Sequence, residues 1–139
     1  MRNGLLITVA CFGLGALMPF ASSHAADCAN ASDQMTLNEC ANNDYKKSDA
    51  ELNKLYKEIR NRLNQQPDTA KQLVAAQRAW IVFRDAECDF ATFNSKDGSA
   101  YAMLVNMCRD GLTQARIKDF KAYLACEEGD LSCPVPRKE

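Results

Sequence analysis

LNQQPDTAKQLVAAQRAWIVFRDAEC, residues 63–88, contains both the break that shapes the chain and its least ordinary run of side chains. Pro67 disfavours helix at the residue before it, and Asp68 or Thr69 can cap a new helix beyond it. The spacing from there predicts a helix over 69–93, with Leu73, Ala76, Trp80, Phe83 and Glu87 along one edge. Gln77, Ile81, Arg84 and Cys88 form the adjacent edge. Upstream, Ser32 reads as an N-cap with Asp33 in the first turn, and apolar residues recur at the helical period to Gln65. Downstream, residues 94–99 with Gly98 read as a loop, and a third helix is expected over 100–125. Gly111 is a weak point in it, costing about 1 kcal/mol against Ala. No period-two pattern supports a strand. The expectation is an all-α fold: a long antiparallel helical hairpin with a third packed helix, held by disulfides.

A helical ruler then locates the polar residues. With Gln66 as pivot, Asp49 lies 17 residues before it and Arg84 lies 18 after it. At about 1.5 Å per residue they stand at nearly equal height. Asn53 and Gln77 lie near each other by the same count. Asp49, Asn53, Gln77 and Arg84 are therefore expected to form a polar seam across the hairpin, with Arg116 joining from the third helix. A guanidinium with several donors suits a partly buried carboxylate and amide. On this reading Trp80 and Phe83 are packed, while Asp85 and Glu87 are solvated.

The N-terminus reads as a leader. Arg2 precedes an apolar run from Leu5 to Ala21, and Ser23-His24-Ala25 offers small residues at a cleavage site. A signal peptide over 1–25 is expected, followed by a helical domain over 26–126 and a tail over 127–139. A cysteine at position 11 gives a faint lipoprotein-like box, but the apolar stretch before it is short. Cleavage would leave 114 of the 139 residues, one domain with a modest core. Of the charges, only Arg2 would be lost, leaving 16 basic against 18 acidic residues, near −2. That balance argues against nucleic-acid binding.

Six of the seven cysteines would remain: Cys28, Cys40, Cys88, Cys108, Cys126 and Cys133. An even count in a small exported domain reads as three disulfides. Heights along the helices favour Cys28–Cys88, Cys40–Cys108 and Cys126–Cys133, with Cys40–Cys88 also within reach. A metal site is not expected, because no CxxC pair exists and the one His lies in the leader. Without that His the commonest general base is gone as well. Glu39, Asp49, Asp85 and Glu87 show no pattern that marks a catalytic pair. No catalytic residues, metal or cofactor are therefore expected, and the protein reads as a binding protein rather than an enzyme. The expected location is periplasmic or secreted, with no transmembrane segment in the mature chain.

Several residues together resemble the lysozyme inhibitor LprI family of small exported bacterial domains. They begin with Cys28, Met35, Asn38, Glu39 and Cys40, continue with Tyr45, Asp49, Leu52, Asn53 and Tyr56, and are strongest at Gln77-Arg78-Ala79-Trp80 and Phe83-Arg84-Asp85-Ala86-Glu87-Cys88. Gly98-Ser99, Cys108, Leu112-Thr113 and Arg116 come after these in order. The resemblance spans residues 27–124 and implies a protein that inhibits lysozyme or a related peptidoglycan hydrolase. Such a protein would act by occluding the hydrolase cleft. An immunity protein or envelope adaptor with a different protein partner is the alternative. Two loops are candidate contacts. One carries Asp97 and Tyr101; the other is the cysteine-bracketed turn with Glu127, Glu128 and Asp130, whose acids suit a basic lysozyme.

Overall fold

The computed structural model describes residues 27–127 and 129–137. The leader, and with it the cleavage site, lies outside the described residues, as does Glu128. Three helices carry the described chain: α1 (Gln34–Arg62), α2 (Pro67–Ala91) and α3 (Tyr101–Leu124), with a 3₁₀ turn at Phe93–Ser95 before α3. No strand occurs among the described residues, so the fold is all-α. None of these helices is long and apolar enough to cross a membrane.

The helix ends differ from expectation in instructive ways. Asp33, not Ser32, caps α1: its carboxylate accepts from the Thr36 backbone N–H at 2.9 Å and from the Thr36 hydroxyl at 2.6 Å. These bonds hold the Asp33 carboxyl below its ordinary pKa, the Thr36 hydroxyl first among them. The second helix begins at Pro67 rather than Thr69, and neither Asp68 nor Thr69 serves as its cap. Proline suits that first helical position, where its missing N–H would have no intrahelical partner.

The tightest pair is α1 with α3, and they run parallel. Near their N-terminal ends the Asn38 side chain donates to the Ser99 carbonyl at 3.0 Å and accepts from the Met103 N–H at 3.2 Å. At the far ends Arg62 donates to the Leu124 carbonyl at 2.9 Å. Leu52, Ile59 and Leu63 bring one stripe of α1 to the core, at spacings of seven and four residues. Ile117 and Phe120 answer from α3, and Trp80 and Leu73 pack in from α2. The tail completes this core. Val135 is buried against the cluster, so residues beyond Cys126 return to cover the ends of α1 and α3.

Three disulfides join Cys28–Cys40, Cys88–Cys108 and Cys126–Cys133. The third pair is as expected; the first two are not Cys28–Cys88 and Cys40–Cys108. Height along a helix does not give direction around it. The turn over 27–30 folds back so that Cys28 meets Cys40 in α1, while Cys88 faces α3 across the α2–α3 connection.

Candidate functional site

Arg84 is the centre of the polar seam. It is 6% exposed although it carries a full charge. The ruler brings it level with α1, and there its Nη1 lies 3.5 Å from the Asp49 carboxylate. On its own helix its Nε donates to Asp85 at 3.0 Å. The guanidinium also lies 5.4 Å from the Tyr45 ring centroid and 5.2 Å from that of Trp80. Two carboxylates and two aromatic faces thus offset the loss of water around one cation. Burial pushes the Tyr45 phenol above its ordinary pKa, against the opposing pull of Arg84.

The seam extends further than the ruler indicated. Asp85 is no solvated helix charge. It also faces Arg109 of α3 at 3.4 Å, and Arg109 reaches Asp89 at 3.9 Å. Asp49, Arg84, Asp85, Arg109 and Asp89 therefore alternate in sign across all three helices. Helical spacing from the hairpin turn does not point to Arg109. The Cys88–Cys108 bond brings it to the seam, since Arg109 comes directly after Cys108 and Cys88 lies only three residues after Asp85.

The remaining seam residues form a separate arrangement. Asn53 turns back along α1, donating to the Asp49 carboxylate and the Asp49 carbonyl, each at 2.8 Å. Gln77 is buried and accepts from Arg116 Nε at 3.3 Å. Arg116 continues to Asp119 at 3.5 Å and lies 4.6 Å from the Phe120 ring centroid. Asn53 and Gln77 are not joined to each other by a hydrogen bond. What the seam can do chemically is limited. Its carboxylates are matched by guanidinium groups, so it orients the helices and offers no acid–base pair. Among the described residues, no group of three His, Cys, Asp or Glu side chains could hold a metal ion.

The two candidate contact loops are not neighbours. Asp97 and Tyr101 lie at the start of α3, while Glu127 and Asp130 lie beyond its end. A 24-residue helix separates them by roughly 36 Å. Each is held firmly. The first is anchored through the Asn38 bonds to Ser99 and Met103. The second is closed by Cys126–Cys133, and inside it Asp130 accepts from the Ser132 hydroxyl at 2.7 Å and its N–H at 2.8 Å. Those bonds, the hydroxyl's first, keep the Asp130 carboxyl below its ordinary pKa.

The structure also revises the packing of residues 75–93. Trp80 reaches the core, but Phe83 is 53% exposed, and Val82 and Phe90 are more exposed still. The buried edge of α2 is the one with Gln77, Arg84 and Cys88. Phe83 belongs to the opposite, outward side.

Comparison with known proteins gives three findings. A family model described as "Lysozyme inhibitor LprI" matches residues 25–120. A protein of Rhizobium meliloti (strain 1021), described only as uncharacterized, is 38% identical over 113 residues, covering 73% of this chain and 81% of its own length. No solved structure matches significantly.

Proposed function

The chain belongs to the lysozyme inhibitor LprI family, and from that premise we propose that it is an exported protein that binds lysozyme or a related peptidoglycan hydrolase and blocks its cleft. The family match is the observation that carries this reading. Three disulfides support it, being the usual means by which a small domain holds its shape in an oxidising compartment. Inhibition of this kind needs no chemistry from the inhibitor. It needs a rigid surface that loses little freedom on binding, and both candidate loops are of that type.

In this proposal the target contact is at one end of α3. The stapled turn with Glu127, Glu128 and Asp130 presents acids to a basic hydrolase, while Asp97 and Tyr101 present one acid beside an aromatic ring. Because the two loops are roughly 36 Å apart, a contact of ordinary size centres on one of them.

The test is a cell-wall lysis assay. Oxidised protein is titrated into chicken-type and goose-type lysozymes beside Asp130→Lys and Asp97→Lys variants. Saturable inhibition near one-to-one is expected, with only one of the two substitutions weakening it. Folded protein that inhibits neither lysozyme would overturn the hydrolase reading and favour another envelope protein as partner.

A further inference from the structure

The outward side of α2 is apolar from Ala75 to its end, after Asp68 and Gln72 in its first turns. Ala75, Ala79, Val82, Ala86 and Phe90 fall within about 80° around the helix at 100° per residue. All five are exposed, Val82 at 70% and Phe90 at 79%. Phe83 extends the stripe on one flank, and Phe93, 66% exposed, continues it past the helix end. Exposed apolar stripes of this extent commonly mark interaction surfaces.

The order of residues along the stripe is informative. Alanines dominate its N-terminal half and phenylalanines its C-terminal half. The charges are ordered too: Arg78 borders the first half and Asp89 the second, on the same flank, about 20° apart around the helix. A twofold axis between antiparallel helices brings like flanks together and opposite halves together. The surface is thus complementary to itself in both size and charge.

We propose that the chain pairs with a second copy of itself through this face, with the two α2 helices antiparallel and the twofold axis level with residues 83 and 84. In that register Arg78 of one copy stands level with Asp89 of the other. Phe90 stands level with the gap between Ala75 and Ala79 of the second copy, where small side chains leave room for its ring. Val82 meets the space between Val82 and Ala86. Of the Arg84 seam only its outermost carboxylate, Asp89, borders this face, 3.9 Å from Arg109; Arg84 itself is buried on the opposite side of α2. Pairing through this face is independent of lysozyme inhibition.

Sedimentation velocity tests this over a range from low micromolar to several hundred micromolar. The protein is produced from its full-length sequence. The parent is expected to pass from one-chain to two-chain mass as concentration rises. Phe90→Glu should raise the midpoint concentration by at least about tenfold, because it replaces the ring packed between Ala75 and Ala79 of the other copy with a charge that loses its water there. Val82→Glu should do the same, and helicity and melting confirm that both variants fold. Arg78→Glu and Asp89→Lys should each weaken pairing, and the double variant should recover it, because the reversed pair meets again across the axis. A parent that stays at one-chain mass throughout overturns the proposal. So does pairing indifferent to Phe90→Glu, or a double variant no better than the single ones. If Phe90→Glu abolishes lysozyme inhibition while leaving the mass unchanged, the face belongs to the hydrolase contact instead and self-pairing is again overturned.

Discussion

Arg84 shows how one residue can tie two helices together and, through Asp85 and its contact with Arg109, reach a third. Its substitution separates two contributions. Arg84→Ala leaves Asp49 and Asp85 without their shared cation and removes packing against Tyr45 and Trp80. Each carboxylate is about 40% exposed and can regain water. The expected loss is therefore about 2–4 kcal/mol, at or below the usual range for a broken buried pair. Asp49→Ala should cost less, about 1 kcal/mol, because Asp85 still faces the guanidinium. Equilibrium denaturation of both variants checks this order, and equal losses would contradict the shared arrangement. The Asp49–Arg84 contact was legible from the sequence because it depends only on residue counts from the hairpin turn. The Asp85–Arg109 contact was not, because it depends on which way α3 is turned.

At the scale of elements the same distinction holds. Helix existence, order and approximate length came from apolar spacing and from Pro67. Ends depended on which neighbouring polar side chain won the cap: at α1 the Asp33 carboxylate reaches two donors of Thr36, and Ser32 reaches none. Asp33→Ala should lower the melting temperature at neutral pH. The sign of its pH dependence is set by the depressed pKa. The carboxylate's contribution is complete above its ordinary value of 3.8 and disappears as pH falls through the lower folded value. Melting curves of parent and variant should thus converge in acid, and a gap that persists there would exclude the cap as its cause. Phe83 illustrates how coarse a helical face is in sequence. It stands three residues from Trp80, close enough to share an edge by spacing, yet the boundary between core and solvent falls between them.

For the whole molecule, the tail is what the sequence concealed. Residues 127–139 contain Gly129 and two prolines and read as a loop. The described part is irregular, yet Val135 is only 3% exposed and packs on the core cluster. A single apolar side chain in an irregular segment has no periodicity to announce it. Val135→Ala should destabilise the fold by roughly 1.5–3 kcal/mol, from lost burial plus the cavity left behind. A stability unchanged in urea titration would show the tail to be dispensable. The rest of the architecture, three helices with the first and third parallel, was legible because a short break and a short loop leave few alternatives.

The cysteine pairing has a consequence for how the molecule is made. Among the six bonded cysteines, first joins second, third joins fourth, and fifth joins sixth in chain order. A polypeptide threaded through a membrane with its N-terminus leading presents each thiol and, next among these cysteines, the correct mate. On the proposed export route, an oxidase that simply joins thiols as they arrive would produce the native set, leaving no wrong crosslink for an isomerase to undo.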